Sequence, residues 1–132
     1  MYNPTSCLEI RDQPLSNQDA QTNCMTGGLT GLATFEEYEQ FEALQAFVEV
    51  LLKGNDLLWL GYYYDGSGDV LLRGSGEQSE SLVFGDVGNF ASGGVSAGAG
   101  VCIAIGRDGQ LRRQMCSETL PYVCYQDQGK RN

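Results

Sequence analysis

The stretch Leu57-Leu58-Trp59-Leu60-Gly61 decides the fold of this chain, and it contains the only tryptophan. The apolar run continues to Tyr64 and ends at the turn residues Asp65-Gly66-Ser67-Gly68, which predicts a buried strand over 57–64. Cysteines lie on both sides of it, at positions 7 and 24 before the strand and at positions 102, 116 and 124 after it. The sequence therefore predicts a central strand that disulfides could enclose.

Length and composition predict one folded domain. The chain has 132 residues, of which 42% are hydrophobic, so it is long enough for a real core and too apolar for disorder. We place the domain at 1–132, with its core at about 6–126 and a short polar tail at 127–132. No apolar run approaches the roughly 18 residues of a membrane span, and Met1-Tyr2-Asn3-Pro4 lacks the features of a signal peptide. We expect no insertion into a membrane.

Charge and residue types exclude several functions. Acidic residues outnumber basic ones by 17 to 8, and the formal charge of −9 excludes nucleic acid as a partner. Arg107, Arg112 and Arg113 are a local basic group, which we interpret as a solvated hairpin face in preference to an anion site. Histidine is absent, and Glu36 and Glu37 are adjacent residues that do not face one another on a helix. We therefore expect no enzyme, no metal and no cofactor.

The first quarter of the chain predicts a strand and a helix. Residues 6–11 alternate apolar and polar, as a half-buried strand does, and Pro14 is expected to end that run. Ser16 followed by Asp19 is a weak capping box, which predicts a short helix over about 16–25.

A second helix has the clearest local pattern. Thr34 and Glu37 form a capping box, and Lys53-Gly54 marks the end of the helix. Acidic residues crowd its first turns, which we attribute to the helix dipole in preference to a calcium site. Apolar residues at helical spacing predict one buried face: Tyr38, Phe41, Leu44, Val48, Leu51 and Leu52.

The remainder predicts strands around one long irregular region. A short return strand at 70–72 follows the central strand, and residues 74–100 are rich in glycine and serine. Loops of this length are usually functional or mobile. Strands are then predicted at 101–105, 110–115 and 121–125, with a turn at Arg107-Asp108-Gly109.

Five cysteines in a small glycine-rich chain favour an oxidising compartment, so we expect an extracellular protein or ectodomain, with a cytosolic origin as the alternative. Four of the cysteines allow three disulfide connectivities, and an odd count leaves one without an intrachain partner.

The order and spacing of several motifs resemble the C-type lectin-like domain over roughly residues 6–126. The matching segments are Gly28 to Thr34 with Glu37, Leu58-Trp59-Leu60-Gly61, Gly100-Val101-Cys102 and Leu120-Pro121-Tyr122-Val123-Cys124. The resemblance implies an α+β fold with two helices flanking small antiparallel sheets and a long irregular loop. It also implies the disulfides Cys24–Cys124 and Cys102–Cys116. An unrelated disulfide-stapled α+β domain is the alternative.

Cys7 is left over in that framework. Either its partner lies in a removed N-terminal segment, or it joins another chain in a homodimer or mixed disulfide, or it is a buried free thiol.

The calcium and sugar motifs of the family are missing. Calcium needs six to eight oxygen ligands, and sugar-binding members place a Glu-Pro-Asn or Gln-Pro-Asp triplet in the long loop and Asn-Asp before the third framework cysteine. Here the loop reads Phe84-Gly85-Asp86-Val87-Gly88-Asn89-Phe90, and Arg112-Arg113 lies where Asn-Asp is expected. Asp86 and Asn89 are the only plausible remnants of a calcium site.

The leading functional hypothesis is a non-enzymatic recognition domain that binds a protein ligand without calcium. Its candidate ligand-binding residues lie on the long-loop surface: Arg73, Glu77, Asp86, Asn89 and Phe90. One alternative is a calcium-independent lectin that stacks a glycan on Tyr62–Tyr64 or Phe90, although we interpret Trp59, Tyr62 and Tyr64 first as core or sheet residues. Another is an acidic structural or matrix protein assembled through Cys7.

Overall fold

A computed structural model of the chain describes residues 6–34, 38–51, 57–64, 71–73 and 100–127. Two helices, α1 (Asn17–Thr26) and α2 (Tyr38–Leu51), accompany the strands. The strands are β1 (Ser6–Leu15), β2 (Gly31–Leu32), β3 (Leu57–Tyr64), β4 (Leu71–Arg73), β5 (Val101–Gly106), β6 (Leu111–Met115) and β7 (Leu120–Asp127). Both predicted helices and the α+β class are confirmed.

The strands join in one seven-stranded sheet with the order β1-β7-β3-β5-β6. β2 pairs with β7, and β4 pairs with β3. The pairs are antiparallel except at β3–β7, where Trp59 is aligned with Tyr122 in a parallel register. The resemblance implies separate small sheets, and this one parallel contact joins them into a single sheet.

β1 is longer than the sequence predicts, because Pro14 does not end it. The β1–β7 register shifts between Arg11 and Leu15, and Leu15 pairs again with Leu120. Proline lacks the N–H that a regular ladder needs, so it is tolerated at such an irregularity and on an edge strand. Helix α1 then begins as predicted, since the Ser16 side chain accepts a hydrogen bond from the Asp19 backbone N–H.

The core lies on both faces of β3, which explains its nearly continuous apolar sequence. Leu58, Leu60 and Tyr62 belong to one buried cluster, together with Leu44 and Val48 of α2. Trp59 belongs to a second cluster on the other face, which includes Ala20 and Cys24 of α1. The Trp59 indole N–H donates to the Leu15 carbonyl at 2.9 Å. The apolar face predicted for α2 is confirmed at Leu44 and Val48, and its other predicted side chains lie outside the described residues.

Two disulfides tie the elements together with the pairing that the resemblance implies. Cys24–Cys124 joins α1 to β7, and Cys102–Cys116 joins β5 to the residue that follows β6. Cys7 lies in β1 opposite Gln126. The state of its thiol stays a prediction.

The β5–β6 turn is anchored to α2. Gly109 has a φ of 80°, a left-handed conformation that favours glycine, and its carbonyl accepts a 2.8 Å hydrogen bond from the Gln45 side chain. None of the helices that the structure describes has the length and apolar character needed to cross a membrane.

Candidate functional site

The ends of three strands lie close to residues 74–99 in the sequence, and we call these strand ends the loop stem: Tyr62–Tyr64, Leu71–Arg73 and residues 100–102. Tyr62 is aligned with Arg73 across β3 and β4, and Tyr63 is aligned with Cys102 across β3 and β5. The chain thus leaves the sheet beside β3 and returns on the other side of it. The sheet therefore holds the residues on both sides of 74–99.

Of the predicted ligand-binding residues, the structure describes one. Arg73 is the last residue of β4 and belongs to the loop stem. Glu77, Asp86, Asn89 and Phe90 lie outside the described residues, so their place in a site stays a prediction.

The two arginines at the expected Asn-Asp position lie in β6. Arg113 is aligned with Ile103 of β5, and its Nε donates to the Tyr64 hydroxyl at 2.9 Å. Arg112 forms an ion pair with Asp108 at 3.3 Å, and both side chains are partly exposed. An exposed pair of this kind contributes little to stability. The chemical consequence is that cationic side chains occupy β6, next to the loop stem.

Metal ligands are scarce in the part of the chain that the structure describes. Across 6–34, 38–51, 57–64, 71–73 and 100–127, no group of three or more His, Cys, Asp or Glu residues could hold a metal ion. The possible calcium remnants Asp86 and Asn89 are outside these ranges.

The tyrosines of β3 differ in exposure. Tyr62 is fully buried in the core, so it cannot serve as a stacking platform, and this part of the carbohydrate hypothesis is wrong. Trp59 is also fully buried, as the core interpretation predicts. Tyr63 and Tyr64 are only partly buried. They are the members of the aromatic run that a ligand can reach.

A cavity of about 490 Å³ lies between α1 and the loop stem. Helix α1 contributes Asn17, Gln18, Gln21 and Thr22. Tyr63, Tyr64, Gly100 and the Cys102–Cys116 disulfide also line it. The volume falls in the range of pockets that hold small ligands, which is about 300–1,000 Å³.

Hydrogen bonds hold the walls of this cavity. The backbone N–H of Asn17 donates to the Cys116 carbonyl at 3.0 Å, and its side-chain Nδ2 donates to the Leu60 carbonyl at 3.0 Å. The Cys116 N–H donates to the Gly100 carbonyl at 2.9 Å. Gln21 Oε1 accepts from the Leu32 N–H at 2.9 Å. These hydrogen bonds fix α1 to the part of the sheet that carries the Cys102–Cys116 disulfide.

Sequence reasoning missed the α1 side of this cavity. Asn17, Gln18, Gln21 and Thr22 recur at a spacing that places them on one side of a helix, and all four are polar and uncharged. A stripe of amides and a hydroxyl was the available signal. The sequence does not show that these residues line a cavity, because Tyr63 faces them only in the folded chain.

Comparison with known proteins was made on sequence and on structure. The sequence matches the family model described as the Lectin C-type domain over residues 13–126. A search of curated protein sequences found no significant match.

Solved structures share the fold at low sequence identity. The carbohydrate-recognition domain of mouse scavenger receptor C-type lectin is 15% identical, with a TM-score of 0.75 and coverage of 97% of this chain and 93% of that one. TC14, a C-type lectin from the tunicate Polyandrocarpa misakiensis, is 21% identical, with a TM-score of 0.69 and coverage of 92% and 97%. A calcium-independent type II antifreeze protein is 14% identical, with a TM-score of 0.71 and coverage of 96% and 90%.

Sequence identities this low show a shared fold and nothing further. The match to the family model is separate evidence, and it covers most of the sequence. Its matched range takes in the helices, both disulfides and the central strand described above. The chain therefore belongs to the family of C-type lectin domains.

Proposed function

We propose that this domain is a non-enzymatic recognition module that binds a protein ligand, without calcium, through the loop stem and residues 74–99. We also propose that it acts outside the cell, which two disulfides in so small a chain support.

The observation that carries the proposal is the chemistry of β6. Arg112 and Arg113 lie where calcium-binding relatives are expected to supply an amide and a carboxylate, and their guanidinium groups contact Asp108 and Tyr64. A calcium ion placed beside them would be repelled, because a hard cation needs oxygen ligands and meets positive charge instead.

A protein ligand is favoured by the kind of surface the stem offers. Arginine and partly exposed tyrosine are enriched in protein interfaces, because each combines a large apolar area with hydrogen-bonding capacity. Arg73 and Tyr64 lie on this stem, and Arg113 contacts Tyr64. We propose that Phe90 and Glu77, from the adjoining segment, complete the surface.

The proposal is tested with the oxidised domain as a tetravalent probe against a display library of extracellular protein domains and against a glycan array. Each is probed once in calcium and once in EDTA. We expect a protein ligand whose signal is the same in both buffers.

Variants at the proposed surface then locate the contact. Arg73→Ala and Phe90→Ala should each weaken binding at least about tenfold if they are hot spots of the interface. Glu49→Ala, at an exposed position of α2, is the matched control and should bind as the parent does. Binding that needs calcium would overturn calcium independence, and full binding by both surface variants would show that the ligand lies elsewhere.

A further inference from the structure

We propose that the Cys102–Cys116 disulfide is a thiol-exchange site, at which a small external thiol enters the cavity between α1 and the loop stem and forms a mixed disulfide with Cys116. The proposal concerns covalent chemistry at one bridge. It is independent of the protein-binding proposal, because it uses neither Arg73 nor residues 74–99.

The two disulfides differ in how far solvent reaches them. Cys24 and Cys124 are both fully buried, and neither is among the described residues that line the cavity. Cys102 and Cys116 both line it. Cys102 is only 2% exposed, whereas Cys116, which follows β6, is partly exposed. Exchange begins when a thiolate reaches a disulfide sulfur, so access selects this bridge and, within the bridge, Cys116.

The cavity offers a small thiol a route to that sulfur. Gln18 and Thr22 of α1 line the cavity and are themselves exposed, so the cavity communicates with solvent on the side of the helix. Its volume of about 490 Å³ leaves ample room for a small thiol. None of the described residues that line the cavity is charged, so an approaching thiolate meets no carboxylate there.

The exchange step conserves atoms and electrons. The sulfur of the external thiolate attacks Cys116 Sγ and forms a new S–S bond with it. The Cys102–Cys116 bond breaks, its electron pair leaves on Cys102 Sγ, and that thiolate takes a proton from water. A dithiol completes the reduction, because its second thiolate attacks the mixed disulfide, releases Cys116 as a thiol and is itself oxidised to a cyclic disulfide.

The backbone keeps the two cysteines together after their bridge opens. The Cys116 N–H donates to the Gly100 carbonyl at 2.9 Å, and the Cys116 carbonyl accepts from the Asn17 N–H at 3.0 Å. The pairing of β5 with β6 needs no sulfur bond either. Cys102 thus stays beside Cys116 and can displace the external thiol again in an intramolecular reaction. The exchange is therefore local and reversible.

The experiment measures how fast each bridge is reduced in the folded, oxidised protein. Free thiols are first blocked with N-ethylmaleimide, and dithiothreitol is then added. Samples taken over time are quenched in acid, alkylated with iodoacetamide and mapped by mass spectrometry. We expect Cys102 and Cys116 to be labelled at least about tenfold faster than Cys24 and Cys124, because access limits the rate of exchange. Urea below its denaturing range should accelerate only the buried bridge, whose reduction needs the protein to open.

A monothiol identifies which sulfur is attacked. With 2-mercaptoethanol in excess, we expect the mixed disulfide on Cys116 and the free thiol on Cys102. Removing the 2-mercaptoethanol by gel filtration should restore the Cys102–Cys116 bond, because the Cys102 thiolate then attacks the mixed disulfide and expels the monothiol.

A variant at the rim of the cavity tests the route. Gln18→Trp adds bulk at an exposed lining position and should slow reduction of Cys102–Cys116 at least about threefold, because exchange depends on access to the sulfur. The rate at Cys24–Cys124 should not change. Gln110→Trp makes the same change at an exposed position of the β5–β6 turn, so it is the matched control and should react as the parent does.

Three results would overturn the proposal. Reduction of both bridges at one rate would show that exchange occurs only through global unfolding. A mixed disulfide on Cys102 would place the attack at the wrong sulfur, and equal rates for Gln18→Trp and Gln110→Trp would exclude the cavity as the route. Protein binding is measured on the oxidised domain, so none of these results affects that proposal.

Discussion

Gly61 shows how a single missing side chain lets two parts of this fold meet. A Cβ atom at this position would lie 2.8 Å from the Leu32 carbonyl oxygen and 2.9 Å from Thr34 Cγ2. The Gly61 N–H also donates to the Ala33 carbonyl at 2.9 Å. Backbone therefore packs directly on backbone between β3 and the segment that leads to α2. The sequence marks Gly61 as part of a motif, and the structure supplies the steric reason.

Gly61→Ala should lower the free energy of unfolding by about 1–3 kcal/mol, the usual cost of overpacking a core. The Leu32 carbonyl cannot move away without disturbing the β2–β7 pairing. Urea denaturation measures the effect. Glu49→Ala, at an exposed position of α2, is the control, and it should change the free energy of unfolding by less than about 0.5 kcal/mol. Equal losses in the two variants would contradict the steric explanation.

A second residue-scale feature links three elements. The Asn23 side-chain oxygen accepts from the Tyr122 hydroxyl at 2.8 Å and from Arg11 Nη1 at 2.6 Å. Arg11 belongs to β1, Asn23 to α1 and Tyr122 to β7. No periodicity of the sequence predicts such a junction, because the three residues meet only when the sheet has formed.

At the scale of elements, alternation and caps were enough to predict most of the structure. β3 was predicted with its observed bounds, Leu57–Tyr64. β2 was missed because Gly31–Leu32 is too short to show a period, and its pairing with β7 is a long-range contact. The parallel β3–β7 contact could not be predicted either, because it joins Trp59 to Tyr122 across a long stretch of sequence. The cavity was missed because its walls come from elements far apart in the sequence.

The two disulfides should contribute unequally to stability. Cys24–Cys124 spans 100 residues and Cys102–Cys116 spans 14. Loop-closure entropy in the unfolded chain predicts a loss of about 4–5 kcal/mol when the first is removed and about 3 kcal/mol when the second is removed. Paired Cys→Ala variants of each bridge, compared by guanidinium denaturation, measure the difference.

Val50→Ala provides a background for that comparison, because Val50 is 78% exposed and its loss should change stability by less than about 0.5 kcal/mol. A larger loss from the short bridge than from the long one would show that packing around the sulfurs outweighs chain entropy.

At the scale of the whole molecule, the acidic residues outnumber the basic ones, and those in the described ranges form no group that could hold a metal ion. A net charge of −9 attracts divalent cations weakly and without a fixed geometry. The sequence predicts that the family's calcium ligands are missing, because Arg112-Arg113 lies where Asn-Asp is expected. That absence stays a prediction, since Asp86 and Asn89 lie outside the described residues. The sequence could not predict which groups the arginine side chains contact, because the Arg113–Tyr64 hydrogen bond forms only when the sheet has folded.

Calcium should therefore leave the melting temperature of the oxidised protein within about 1 °C of its value in magnesium at the same ionic strength, since both ions only screen charge. Calorimetric titration should show no saturable heat. A calcium-specific rise in melting temperature would reveal ligands among Asp86, Asn89 or other carboxylates.

The pairing of Ser6 with Asp127 has a mechanical consequence. The two ends of the described chain leave the domain side by side, so a force that pulls them apart opens the β1–β7 ladder one hydrogen bond at a time, as a zipper opens. The tension then reaches Cys24 and Cys124 and passes through their sulfur atoms. While that bond holds, the covalent path of the load bypasses residues 25–123, which include the loop stem. A domain tethered through both ends could be stretched while the loop stem keeps its fold.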